Sequence, residues 1–540
     1  MSRPLDEIPL VPALALFALT ALAIGVIWWR LGAPVALPPS PLAGGSKLYC
    51  LSYAPFRGAQ DPLVEGTRVA PEQIDEDLAL LSRYTGCVRT YSVDDVFDSA
   101  LISARRYGLK VLYGVWVSAD PQKTRRQIAT AVALAKQYPD VVQSIVVGNE
   151  VLLRGEMTPA DLIGYIREVK SQVSVPVTYA DVWEFWLRYP DVQNAVDFVT
   201  IHILPYWEDF PIPAAQAAAH VEAIRNKVAA ALPNKDIVIG EFGWPSEGRM
   251  REGALPSPSN QARAIEETVA LAQRENFKLN VIEAFDQPWK RQLEGATGGY
   301  WGVIDRATKA PRFGFDTIVS DHPQWRFQAG AAILLAAAIF AAAGWAGRGK
   351  PAPPHLWLRI AVLAFLPAVL FGWTLERVPI DSFDLGSWLR ALAFAATAAA
   401  APVVCAAACA KGRPLPSFAA LLGRSSGPRD AVDIALGASL IALTLLSVET
   451  AFGLVFDPRY RDIPFAPQSG AAAAFAALML LSPRPGGRRP AAETLAAIVL
   501  AVSAGYIACN ETFANWQALW LCAGLIGLAV TLSRTRDAPG

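Results

Sequence analysis

Two regimes of hydrophobic patterning divide the chain. From about Lys47 to Gln328 apolar and charged residues mix at short range, and beyond that Ala/Leu-rich runs of bilayer length take over. In the first regime, apolar runs rich in strand-forming residues cover 48–53, 87–91, 110–116, 142–149, 176–179, 198–203, 236–241 and 280–285. Between them lie stretches such as 71–84, 122–138, 158–173 and 260–275, whose apolar positions recur every three or four residues, as at Leu78, Leu81 and Tyr84. Pro71 and Pro159 sit where a first helical turn tolerates proline, and Asp120 and Ser259 stand as N-caps. Eight strands alternating with helices over roughly 270 residues predict a (β/α)8 TIM barrel. A doubly wound open sheet is the alternative, but no GxGxxG follows the first strand. A barrel puts its chemistry at the C-terminal ends of its strands.

The second regime reads as an all-α polytopic transmembrane domain. The run 9–31 is long enough to span a bilayer and ends in Trp28, Trp29 and Arg30, an interfacial anchor. It reads as an uncleaved transmembrane helix, since a secretory signal has a shorter apolar core. Further candidate spans cover 329–346, 355–375, 386–410, 431–455, 469–483, 492–509 and 514–533, the 469–483 run being short. With the N-terminus in the cytoplasm, inward loops and the tail carry Arg348, Lys350, Lys411, Arg413, Arg424, Arg429, Arg484, Arg488, Arg489, Arg534 and Arg536. Outward loops carry Arg377, Arg459 and Arg461. Eleven basic residues against three favour this orientation. The expected organisation is an anchor and linker over 1–46, a catalytic domain over 47–325, and a domain of about seven spans over 326–540. Both termini are then cytoplasmic and residues 47–325 lie outside.

Composition narrows the field further. Net charge is zero and no basic stretch interleaves with aromatics, which sets nucleic acid aside. The six cysteines form no CxxC and the chain has four histidines, so no metal and no cofactor is expected. Cys50 and Cys87 read as two buried thiols, a disulfide in an oxidising compartment being the alternative.

Polar and aromatic residues collect at the ends of three strands. The fourth ends in Gly148-Asn149-Glu150 and the seventh in Gly240-Glu241-Phe242-Gly243-Trp244-Pro245-Ser246. The eighth runs on through Glu283-Ala284-Phe285-Asp286-Gln287-Pro288-Trp289-Lys290. Carboxylates atop strands four and seven face each other across a barrel mouth. A retaining glycosidase needs such a pair about 5–5.5 Å apart, one attacking the anomeric carbon and one protonating the leaving oxygen. Asn149, beside Glu150, suits a sugar 2-hydroxyl, so we assign Glu150 as acid/base and Glu241 as nucleophile. Physics alone leaves the reverse assignment open. His202, on strand six, reads equally as a partner of the nucleophile or a satisfied core histidine.

These blocks resemble glycoside hydrolase family 17, of the clan A β-1,3-glucanase and glucanosyltransferase type. The Asn149-Glu150 pair and Glu241 match the clan's strand-four and strand-seven positions. The block 240–246 resembles the family signature with Phe242 in place of the usual Thr, and Gln287 stands where the strand-eight block usually has Glu. The resemblance implies a retaining mechanism, β-1,3-glucan as substrate, and Glu283 and Lys290 as cleft residues. Substrate contacts are expected from Asn149, Tyr53, Arg89, Tyr179, Tyr206, Trp244, Glu283, Trp289 and Lys290, the aromatics offering flat faces to pyranose rings.

The layout also resembles membrane-bound bacterial members linked to bradyrhizobial cyclic glucan synthesis and described as β-(1,6)-glucan synthases. This implies a bacterial inner-membrane protein that remodels or branches β-glucan in the periplasm, with the lipid bilayer and a membrane glucan synthase as partners. Arg390 and Glu449, within or near spans, are ionisable groups of the kind that mark function there. Two rivals remain: a plain β-1,3-glucanase, and a non-catalytic glucan-binding or export subunit.

Overall fold

The computed structural model describes residues 10–93, 98–315, 317–349, 353–423, 430–482 and 486–536. Pro9, Lys350, Arg424, Arg429 and Arg484 of the reading above lie outside the described residues. The chain divides into two compact units. One comprises Pro34–Gly248 and Gly253–Val319; the other comprises Met1–Ala33, Arg249–Glu252 and Ser320–Gly540.

The first unit is a closed barrel of eight parallel strands, neighbouring in chain order: β1 Cys50–Ser52, β2 Cys87–Arg89, β3 Lys110–Val115, β4 Val142–Asn149, β5 Val177–Val182, β6 Val199–His202, β7 Ile237–Phe242 and β8 Lys278–Val281. β8 closes on β1 through Cys50–Asn280 and Leu51–Val281, which excludes the open sheet. The strands are near-continuous apolar runs, as expected of a parallel sheet covered by helices. Their ends differ by a few residues from the sequence reading. β5 runs on to Val182 rather than stopping at Tyr179, and β8 ends at Val281, so Glu283 stands on the loop beyond it.

Local signals explain the helix starts. Asp120 caps the helix Pro121–Gln137 by accepting from the amides of Gln122 and Lys123. Pro71 and Pro159 open their helices as expected. The cap expected at Ser259 is instead Ser257, because Pro258 takes the first helical position and Ser257 accepts from the Asn260 amide.

The two thiols expected at Cys50 and Cys87 are joined as a disulfide. The register explains it: Leu51 pairs with Val88, which sets the preceding cysteines opposite each other with Cα atoms 4.3 Å apart.

Among the described residues, seven helices of the second unit are long and apolar enough to cross a membrane: Val11–Leu31, Trp325–Ala346, Pro354–Asp381, Leu385–Lys411, Ala431–Phe456, Ala491–Asn510 and Trp516–Arg534. This gives the chain the means of associating with a bilayer. The short run expected at 469–483 is a helix over Phe465–Leu481, packed against Trp516–Arg534, Pro354–Asp381 and Leu385–Lys411. Its buried Gly470, Ala471, Ala472 and Ala474 allow backbones to approach closely.

Candidate active site

The strand ends bring Glu150 and Glu241 together through deliberate irregularity. Sheet register shifts between Val146 and Asn149 on β4 and between Ile201 and His202 on β6. Such shifts re-aim side chains at barrel rims. Gly148 adopts φ +90°, and Glu150 itself sits in the left-handed region at φ +55°. For a residue other than glycine, that conformation stores strain of the kind found at functional sites. Its amide is held by the Ala180 carbonyl at 2.8 Å.

His202 joins the two carboxylates. Its Nδ1 lies 2.8 Å from Glu150 Oε1, and its Nε2 lies 3.6 Å from Glu241 Oε1. One oxygen of each glutamate and one nitrogen of His202 all lie within 4.8 Å of one another. Arg89, 1% exposed, crosses from β2 beneath them. Its Nη1 donates to the Gly240 carbonyl at 2.6 Å and to Glu241 Oε1 at 3.1 Å, and its Nη2 donates to Asn149 Oδ1 at 2.5 Å. That Nη1 also lies 3.2 Å from His202 Nε2. A carboxylate can only accept, so in the Glu150 contact the Nδ1–H of His202 donates. Gly240 is required here, since a β-carbon would stand 2.4 Å from the Thr200 methyl and 3.4 Å from Arg89 Nη1.

A second chain of donors ends on Glu241. Asn280 Nδ2 donates to Ser52 Oγ at 2.8 Å, Ser52 and the Tyr91 hydroxyl are 2.8 Å apart, and Tyr91 donates to Glu241 Oε1 at 3.0 Å. Burial and the charge of Glu241 raise the Tyr91 pKa far above its ordinary value, so it stays a donor. Glu241, 5% exposed, therefore meets a fixed positive charge and a fixed hydroxyl.

The same three residues offer ligand atoms close enough for a metal ion. Their chemistry does not fit one. Arg89 already stands 3.1 Å from the Glu241 oxygen and 3.2 Å from His202 Nε2, a permanent cation where a metal would have to sit.

At Glu150, burial pushes the pKa up, but the hydrogen bond from His202 and the charges of His202, Arg89 and Arg154 outweigh it, and the net direction is down. Arg154 donates to the Asn149 carbonyl and covers the Trp116 ring, its guanidinium 4.5 Å from the centroid. Beyond β8, Lys290 is ion-paired with Glu283. Burial still raises Glu283 to about 7, the Lys290 charge opposing. Glu294, four residues on from Lys290, is also raised by burial and by repulsion from Glu150 and Glu241.

The expected residues fall into two groups. Glu150, Glu241, Asn149 and Arg89 meet directly, and Glu283 and Lys290 interact electrostatically with this cluster through Glu241 and Tyr91. Trp289 is half-buried, with Phe56 on one edge and its indole donating to Gln287. Tyr53, Tyr179, Tyr206 and Trp244, expected as sugar platforms, are fully packed. Tyr53 donates to Asp77, Tyr179 bonds Asp181 and the Leu152 amide, Tyr206 meets Thr297, and Trp244 donates to the Leu255 carbonyl. With no exposed face they brace the strand ends instead. Tyr179 and Asp181 do so pointedly, since Asp181 also accepts from the Leu153 amide at 3.4 Å and so holds the loop after Glu150.

The sequence gives no role to Asp181, Arg154 or Glu294, and Tyr91 enters it only as the last residue of the 87–91 run. The Arg89-x-Tyr91 spacing was the available signal: on a strand, residues two apart share a face.

A closed parallel barrel with paired carboxylates at strands four and seven is the architecture of a glycoside hydrolase domain. Residues 50–302 match the family model of the BtgE/BtgC glycoside hydrolase domain, and that domain, of the family 17 type, is present in this chain. A glucan 1,3-beta-glucosidase of Arthroderma benhamiae is 28% identical over 46% of this chain and 85% of its own length. A putative glucan endo-1,3-beta-glucosidase, btgC, of Aspergillus niger is 27% identical over 48% of this chain. The match spans only 42% of that protein's length. Among solved structures, a glycoside hydrolase family 17 β-1,3-glucanosyltransferase from Rhizomucor miehei covers 50% of this chain and 98% of its own, at 25% identity and a TM-score of 0.44.

Proposed function

We propose that the barrel is a retaining glycosidase or transglycosylase acting on β-1,3-glucan, with Glu241 as nucleophile and Glu150 as acid/base. The carrying observation is the carboxylate spacing: an oxygen of each lies within 4.8 Å of the other. Retaining enzymes hold their carboxyl groups about 5–5.5 Å apart, whereas inverting enzymes need about 6.5–9.5 Å for a water between them. The β-1,3 linkage rests on the names of the fungal relatives.

In this reading a Glu241 oxygen bonds the anomeric carbon as the glycosidic C–O bond breaks, and the leaving oxygen takes the proton of Glu150. Arg89 and Tyr91 hold Glu241 aimed. Glu150 then takes the proton of an incoming hydroxyl, whose oxygen displaces Glu241. A sugar 6-hydroxyl as acceptor gives a β-1,6 branch; water gives hydrolysis. Domain order, the basic bias of one set of loops, and the Cys50–Cys87 disulfide support a barrel outside the cytoplasm, where disulfides persist. The remodelling of glucan beside a membrane synthase, as in the bradyrhizobial proteins the layout resembles, follows from that placement.

Incubation of the full chain with laminari-oligosaccharides tests the reading. Products longer than the substrate, with new 1,6 linkages, are expected; shorter products alone reduce it to a glucanase. A 2-deoxy-2-fluoroglucoside should label the Glu241 peptide, and failure of both labelling and turnover would leave only a glucan-binding role.

A further inference from the structure

Within the helical unit, a cavity lined by apolar and charged side chains opens where three helices end. The last turns of Pro354–Asp381 supply Arg377 and Asp381, the early turns of Leu385–Lys411 supply Arg390 and Phe394, and the entry to Phe465–Leu481 supplies Asp462 and Phe465. Arg377 and Asp381 neutralise each other, Nη2 to Oδ1 at 2.5 Å. The other two charges are not matched in this way. Among the described residues, Arg390 pairs with the outlying Glu449 carboxylate at 3.7 Å, too long for a hydrogen bond. Asp462 is 7% exposed, and its buried Oδ1 has no hydrogen-bond partner among the described residues.

A buried carboxylate oxygen without a donor is costly, and it lines an open space. Burial, together with the charge of Asp381 and against those of Arg377, Arg390 and Arg249, pushes Asp462 up to about 7. The site thus lacks a donor for Asp462 Oδ1 and leaves Arg390 only loosely paired.

Chemistry and depth select the ligand. The unpartnered Asp462 oxygen calls for an N–H donor. A primary ammonium brings three N–H donors, whereas a trimethylammonium group has none. Two of the helices whose ends meet there, Pro354–Asp381 and Leu385–Lys411, are long and apolar enough to cross a bilayer, which would put their ends at the level of lipid headgroups. The Phe465–Leu481 helix has no side-chain cap at its N-terminus, which adds positive potential beside Arg390.

We propose that this cavity binds a phosphoethanolamine-type lipid headgroup, with Asp462 receiving the ammonium and Arg390 the phosphate. Phe394 and Phe465 line the route toward the acyl region. The site is independent of any glucan chemistry in the barrel.

The test uses the full chain, delipidated in detergent and returned to nanodiscs of phosphatidylcholine alone or of equimolar phosphatidylcholine and phosphatidylethanolamine. Native mass spectrometry then counts retained lipid. One phosphatidylethanolamine per chain is expected, with tenfold weaker retention in D462N and little competition from free phosphoethanolamine. Ala391→Leu, which narrows the cavity and leaves its charges in place, should weaken retention likewise and so covers a D462N chain that fails to fold. Equal retention of the two lipids, unchanged retention in both variants, or displacement of lipid by laminaribiose would each overturn the proposal. Turnover of laminari-oligosaccharides, read in parallel, reports on the barrel alone.

Discussion

The barrel and the helical unit both set arginine near a buried carboxylate, and they satisfy these charges in opposite ways. Arg89 has acceptors on two strands, β4 and β7, and Glu241 receives both a guanidinium and a tyrosine hydroxyl. Asp462, as deeply buried as Glu241, leaves an oxygen without a donor, and Arg390 reaches its nearest carboxylate only loosely. The first arrangement is closed before any ligand arrives. Donors fixed in advance cost no reorganisation when charge develops, which is the chief source of catalytic stabilisation in many enzymes. The second is open, and an open valence in a small cavity is what a resident ligand completes.

The sharpest test of that contrast is loss of chemistry. Glu241→Gln or Glu150→Gln should cost roughly 10³-fold or more in turnover of laminari-oligosaccharides, as removal of a principal catalytic group does. Asp462→Asn should leave turnover unchanged. Were D462N as damaging as E241Q, the reaction would not be confined to the barrel.

Next in size is the closed network itself. Arg89→Lys keeps the charge but loses the fork that serves Gly240, Glu241 and Asn149 together. A loss of about 10²-fold in kcat, with KM little changed, is expected from removing one fixed donor to the reacting carboxylate. Arg390→Lys should not move kcat. Equal effects would show that Arg89 acts through overall folding rather than through Glu241.

The same contrast explains what the sequence could and could not reveal. Glu150 and Glu241 were legible because β-rich runs, counted from the first, put them at the ends of strands four and seven, where a barrel holds its chemistry. The spans were legible because length and apolarity suffice. The roles of Tyr53, Tyr179, Tyr206 and Trp244 were not. An aromatic at a strand end has two places to go, and which it takes depends on partners far away in sequence, such as Asp77 for Tyr53 or Thr297 for Tyr206. Asp462 was invisible for the same reason. Its neighbours Arg377, Asp381 and Arg390 come from other helices, and an acidic residue in a short connection ordinarily reads as solvated.

A third, smaller effect concerns the covalent tie in the barrel. Cys50 and Cys87 are 37 residues apart, and removing such a cross-link costs about 4 kcal/mol through the freed unfolded chain. The double variant C50S/C87S should lower the denaturant midpoint of the barrel's transition, and reductant should do the same to the wild type. Cys405, Cys409, Cys509 and Cys522 of the helical unit are free thiols, so reductant should leave that unit's transition alone. A midpoint insensitive to reductant in both units would mean that the pair adds nothing to barrel stability.

The smallest expected effect is a displacement along the pH axis, and it probes how closed the barrel network is. In the proposed first step Glu150 must carry a proton, so kcat/KM falls as pH rises through its pKa. Burial alone would set that limb above the usual carboxylate range. The His202 hydrogen bond and the charges of His202, Arg89 and Arg154 set it below. His202→Gln removes the first and largest of these opposing interactions, so the pKa must rise and the falling limb must move to higher pH. Asp462→Asn removes a carboxylate that interacts electrostatically with Asp381, Arg377, Arg390 and Arg249, none of them in the barrel cluster, and should leave the limb where it was. A limb that stays fixed in H202Q would mean that Glu150 does not donate the proton. The reverse assignment of the two glutamates would then be the one to pursue, with Glu241 supplying the proton under the control of Arg89 and Tyr91.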